Sequence, residues 1–245
     1  MSMMVYRAEA RLSFEGSQIH LCRPWRPDLG GCRTKDKPRP VSTTLYYIHD
    51  PMCSWCYGFA PVLGRLPTEL PRDMHYHRLL GGLAPDCAEP MPEDLRATLQ
   101  QAWRRIETRV PGVQFNFGFW EQCSPRRSTY PACRAVIAAR AQDPALDEAM
   151  TSAIQRAYYR EARNPSDRKT LIELAGEIGA DAEVFAATLD APGTQAALEA
   201  ELAETRRLGV NSFPSLILDC DGSRWPIPVN YTAPDAILAT IRALA

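Results

Sequence analysis

An α/β domain interrupted by an all-helical insertion is the fold class this sequence predicts, and three observations predict it. Residues 43–49, TTLYYIH, are aromatic and β-branched, the composition of a buried strand. From about Pro92 to Leu208 the apolar residues recur with the period of a helix. Beyond Leu208 the chain returns to strand-like sequence in SFPSLILDCDG and SRWPIPV, then closes on one more helical stretch. At 245 residues it is long enough to bury such a core without staples.

Each element follows in order. Residues 1–42 contain LCRPWRPDLGGCRTKDKPRP, rich in Pro, Gly, Arg and Lys and without either period, and are expected to form a disordered N-terminal extension. The first strand ends at Asp50-Pro51, because proline cannot donate to a ladder. Ser54 to about Leu66 has helical spacing, with Pro61 predicting a kink or a later start. Residues 73–83, DMHYHRLLGGL, read as a second strand running into a glycine turn. The sheet domain is thus assigned to 43–84 and 209–245, and the insertion to 85–208, its last helix (about 194–208) packing on the sheet.

Within the insertion, Leu95, Leu99, Trp103, Ile106 and Val110 share one helix face, stopped at Pro111-Gly112. PACRAVIAARAQ and LDEAMTSAIQRAYYREA supply two more helices, the second expected to end near Asn164-Pro165. SDRKTLIELAGEIG carries a Ser/Asp cap and a glycine stop. DAEVFAATL and TQAALEAELAETRRLG follow the same pattern. Asp221-Gly222 is a hairpin turn between the last two strands, and APDAILATIRAL is the closing helix.

Composition excludes several functions. A formal net charge of −1 gives no pull toward nucleic acid or anionic membrane. No apolar run reaches the roughly 18 residues of a membrane span. The N-terminus lacks a secretory h-region and cleavage site, so a cytoplasmic address is expected. Eight cysteines in a reducing compartment do not read as four structural bridges.

Only one cysteine pair has close spacing: Cys53 and Cys56 in YYIHDPMCSWCYGFAP. A C-x-x-C pair serves redox exchange or half of a zinc site. Zinc usually takes a second close pair, and His75-Tyr76-His77 is too tight for the usual spacing. Cys53 falls where a strand passes into a helix, so its sulfur should meet the free N–H groups and the positive dipole end, which favour thiolate. Cys56, one turn on, is placed to resolve a mixed disulfide. The redox reading is preferred over two inert buried thiols.

DPMCSWCYGF, the helical insertion and GVNSFPSLIL downstream together resemble the DsbA-like thioredoxin-fold proteins, in particular the cytoplasmic FrnE-like branch of predicted disulfide isomerases. The resemblance covers about residues 43–243. It implies a thioredoxin fold with an all-helical insertion and maps the nucleophile onto Cys53, the resolving thiol onto Cys56 and the cis-proline onto Pro214. It further implies that the Phe213-Pro214 loop offers backbone groups to substrate, beside Ser54 and Trp55 between the sulfurs. Asp50 is a candidate modulator of Cys53 or a turn cap. The expected partners are disulfide-containing proteins or small thiols and a recycling reductant or oxidant, with no metal or organic cofactor and glutathione as a candidate reductant.

Two alternatives remain in view. Related kappa-class glutathione transferases and 2-hydroxychromene-2-carboxylate isomerases use serine where this chain has Cys53, which disfavours that chemistry. A zinc-binding or chaperone-like protein is the non-enzymatic reading. Of the remaining cysteines, Cys133 reads as a core residue and Cys220 as an exposed strand-end thiol, while Cys123 and Cys133 are candidates for an auxiliary bridge. Phe115, Phe117, Phe119 and Trp120 are expected to close the insertion's core, with Arg126 and Arg127 solvated.

Overall fold

The computed structural model describes residues 43–245; the extension assigned to residues 1–42 lies outside the described residues. Four strands form one sheet in the order β2-β1-β3-β4: β1 (Thr43–His49), β2 (Met74–Leu80), β3 (Ser215–Cys220) and β4 (Ser223–Ile227). β1 pairs parallel with β2, Thr43 opposite Met74, and antiparallel with β3, Leu45 opposite Leu218. The central strands carry the apolar residues, and β4 tolerates Pro226 because it is an edge. Asp221 (φ 50°) and Gly222 (φ 88°) make the two-residue turn between β3 and β4, both in the left-handed region such hairpins require.

A parallel β1–β2 pair needs a crossover, supplied by α1 (Ser54–Leu63) and the short α2 (Leu66–Glu69). α1 begins at Ser54 and runs through Pro61 to Leu63, so the late start does not occur. Phe59, Val62 and Leu63 of α1 pack with Leu45, Tyr47, Leu216 and Leu218 of the sheet and with Ile237, Leu238 and Ile241 of the last helix, α10 (Pro234–Leu244). This is one face of the sheet. The other face, through Ile48, Leu79 and Ile217, receives Leu208.

Between β2 and β3 lie α3 (Glu93–Arg109), α4 (Phe119–Gln122), α5 (Tyr130–Gln142), α6 (Leu146–Tyr159), α7 (Arg168–Glu177), α8 (Ala182–Leu189) and α9 (Pro192–Arg207). Two clusters hold them. An alanine-rich one centres on α5, where Ala132, Cys133, Ala135, Val136, Ala138 and Ala139 meet α6, α7, α8 and α9. An aromatic one surrounds Trp103, with Phe115, Phe119, Trp120, Tyr158 and Tyr159. Phe117 is half-buried against it.

Three local expectations change. α6 stops at Tyr159 rather than near Asn164-Pro165, because Asn116 captures its last carbonyls. The Asn116 N–H donates to Tyr159 O at 2.7 Å and its side-chain amide to Arg160 O at 3.1 Å. Ala162 then takes a positive φ of 54°. Asp167 occupies the N-cap of α7 without a capping bond, its carboxylate instead taking the Arg126 guanidinium at 2.5 Å. Arg126 is therefore paired rather than solvated, and it also donates to Ser166 O at 2.8 Å; Arg127 is exposed.

Candidate active site

Beyond β1 the chain makes a tight turn before α1. The Cys53 N–H donates to the Asp50 carbonyl at 3.0 Å, and Cys53 stands as the N-cap of α1 with an extended backbone. A residue so placed turns its side chain onto the unpaired N–H groups of the first turn. Here the acceptor is sulfur: the Cys56 N–H donates to Cys53 Sγ at 3.2 Å. The Cys53 thiol itself donates to the Phe213 carbonyl at 3.6 Å, next to a cis Phe213–Pro214 peptide bond. Cys53, Cys56, Phe213 and Pro214 thus share one place although the chain between Cys53 and Phe213 runs 160 positions.

The two sulfurs differ in access. Cys53 is 5% exposed and Cys56 fully buried, and both are free thiols. Burial, reinforced by the neighbouring Cys53, pushes the Cys56 thiol well above its ordinary value. Ser54 and Trp55, between them, are half-buried at the start of α1. The Trp55 ring lies 5.1 Å from that of Tyr231, and the Arg109 guanidinium sits 5.8 Å from the first and 5.5 Å from the second.

Asp50 is wholly buried beneath the pair. Its Oδ1 accepts the Met52 N–H at 2.7 Å; its Oδ2 accepts the Leu83 N–H at 2.7 Å and the Thr129 hydroxyl at 2.6 Å, with Cys133 Sγ at 3.6 Å. Burial raises its pKa against the pull of those bonds. The carboxyl thereby ties the dithiol turn, the segment after β2 and the start of α5 together. Burial, then Asp50, holds the Cys133 thiol well up, consistent with a core cysteine. Cys123 donates elsewhere, to Ala162 O at 3.0 Å; it and Cys133 are separate free thiols, so the candidate auxiliary bridge is not formed. Cys220 is half-buried rather than exposed.

Three contributors were not singled out from the sequence. Thr129 and Leu83 bind Asp50 from remote segments, and the Tyr159 hydroxyl donates to Met52 O at 2.6 Å from the end of α6. Gly81 has a different reason from the expected turn: a Cβ there would fall 2.0 Å from the Phe213 ring. Gly82, at φ 62°, is the turn residue. On β2, His75 and His77 are exposed, and no cluster of three His, Cys, Asp or Glu is arranged around a metal site among the described residues.

A helical block inserted between the second and third strands of a thioredoxin sheet sets the DsbA-like class apart, and this fold places the chain in that class. The chain belongs to the thioredoxin family, whose model, described as thioredoxin, matches residues 46–224. Among solved structures it is similar to a candidate protein disulfide isomerase from Nitrosomonas europaea, at 26% identity and a TM-score of 0.72, over 82% of this chain and 97% of that one. It is also similar to the cytosolic disulfide reductase DsbM from Pseudomonas aeruginosa, at 29% identity and a TM-score of 0.67, over 82% and 98%. Among curated proteins it is similar to the ClpXP adapter protein SpxH of Halalkalibacterium halodurans, 24% identical over 74% of this chain; the chain spans 59% of that relative's length. No described helix is long and apolar enough to cross a membrane.

Proposed function

We propose that the protein is a cytoplasmic thiol–disulfide oxidoreductase working through Cys53 and Cys56. The observation that carries this reading is Cys53 at the α1 N-cap, its sulfur accepting the Cys56 N–H at 3.2 Å. Helix N–H groups and dipole stabilise negative charge on sulfur. The Cys53 thiolate attacks one sulfur of a disulfide, forming a mixed disulfide and expelling the other half as thiolate, which takes up a proton.

Burial, and after it the hydrogen bond and charge of Cys53, favour the protonated form of Cys56. Once Cys53 is tied up in the mixed disulfide, the part of that opposition due to Cys53 lapses. Cys56 loses its proton, attacks Cys53 Sγ and releases the second thiolate, leaving a Cys53–Cys56 disulfide. Two electrons pass to the substrate. Two equivalents of a thiol such as glutathione return the pair to its reduced form and leave as their own disulfide. Phe213 and Pro214 align an extended substrate, with Ser54 and Trp55 beside it.

The reducing direction is supported by the likeness to DsbM, which is also solved with GSH, at 28% identity and a TM-score of 0.64. Proteins and small thiols are the proposed substrates. In an insulin-reduction assay Cys53→Ser is expected to fall to the uncatalysed background; retention of wild-type turnover by that variant removes Cys53 from the chemistry.

A further inference from the structure

Beside Phe213 lies a cavity of 420 Å³ that the dithiol chemistry leaves unused. Its size falls within the roughly 300–1,000 Å³ of small-molecule sites. Arg127, Thr205, Arg206 and Asn211 line it, with Gly82 and the Phe213 ring. Neighbouring arginines are paired, Arg126 with Asp167 and Arg207 with Glu204. Arg127 and Arg206 have no carboxylate partner among the described residues. Thr205 is 3% exposed, yet its hydroxyl has no hydrogen-bond partner, a state buried polar groups rarely keep.

Two unpaired guanidinium groups and an unsatisfied hydroxyl around one hollow are the complement of a carboxylate. The cavity also adjoins the redox pair, since the Phe213 whose ring lines it accepts the Cys53 thiol through its carbonyl. We propose that this cavity is an anion-reading subsite, which binds the carboxylate-bearing end of a small peptide-like thiol or disulfide whose sulfur lies at Cys53. The assignment rests on the proposed redox role of Cys53 and adds the substrate class to it. Arg127 and Arg206 bind the carboxylate, Thr205 donates to it, and the cavity thereby selects acidic small disulfides over neutral or cationic ones.

The test is single-turnover oxidation of the pre-reduced full-length protein, followed by tryptophan fluorescence. The substrates are glutathione disulfide (acidic), hydroxyethyl disulfide (neutral) and cystamine (cationic). For the wild type the half-saturating concentration is lowest for glutathione disulfide and rises with salt. In Arg127→Ala/Arg206→Ala the acidic-over-neutral rate ratio falls about tenfold, near the loss of one charge-assisted hydrogen bond, and the change lies in half-saturation rather than maximal rate. Thr205→Val moves the ratio the same way by a smaller factor. An unchanged ratio in the double variant overturns the subsite. A charge-dependent loss seen only with a disulfide-bonded protein also overturns it. Failure of the wild type to react with any of the three disulfides defeats instead the redox reading on which it rests.

Discussion

His49 and Asp50 are adjacent, both buried, and shifted in opposite directions by the same cause. Removal from water disfavours a charged imidazole and a charged carboxylate alike, so the His49 pKa falls well below 6.5 and that of Asp50 rises above 3.8. The Arg78 guanidinium, 3.4 Å from His49 Nε2, adds to the first shift. The unfolded chain protonates His49 below pH 6.5 while the folded chain does not. Its contribution to stability is therefore complete above that pH and is lost as pH falls through it. The slope reaches at most about 1.4 kcal/mol per pH unit. Urea denaturation from neutral to mildly acidic pH is expected to show this decline in the wild type and a flatter profile in His49→Gln; identical profiles contradict it. Asp50 acts with the other sign, stability decreasing as pH rises from 3.8.

At the scale of elements, β2 is stitched to three helices by a partly buried ionic chain. Arg78 reaches Asp147 of α6 at 2.7 Å, Arg140 of α5 reaches the same carboxylate at 3.0 Å, and Arg140 continues to Glu201 of α9. Glu201 in turn accepts the Leu80 N–H at 2.7 Å, closing the circuit on the end of β2. Such a chain adds little over an apolar packing, but removing one member strands the others. Asp147→Ala leaves two partly buried guanidinium groups facing each other and is expected to cost about 3 kcal/mol in urea unfolding. A loss below about 1 kcal/mol would show that the arginines find water instead.

The strands, the longer helices and their order were legible because each has a local cause, whereas the four-residue α2 and α4 were not read. TTLYYIH is β-branched and aromatic, α3 repeats its apolar residues at one face, and Asp221-Gly222 suits only a tight hairpin. The errors arise where a remote group decides. α6 ends early because Asn116 takes its carbonyls, and Asp167 leaves its cap for Arg126. Neither partner is within reach of a local pattern. The same division holds at the site. The spacing of Cys53 and Cys56 could be read directly, whereas Thr129, Leu83 and Tyr159 enter only when the helices fold back over the turn.

Across the whole molecule, the dithiol turn is where the cores converge. Met52 packs against both the alanine-rich and the aromatic clusters, and the Tyr159 hydroxyl holds its carbonyl. Asp50, two residues earlier, anchors the start of α5 through Thr129. The sheet supplies the strand-to-helix junction that presents Cys53, and the insertion seals Cys56 behind it. This arrangement, one sulfur at a helix start beside the Phe213 carbonyl and the other fully buried, is the physical basis of the proposed division of labour. The most direct measurement is trapping of the mixed disulfide with an excess of a small disulfide, read by intact mass and peptide mapping. The account predicts a stable adduct on Cys53 in Cys56→Ser, none on Cys56 in Cys53→Ser, and an internal Cys53–Cys56 bond in the wild type. An adduct forming preferentially on Cys56, or a wild-type protein that never closes the internal bond, would contradict it.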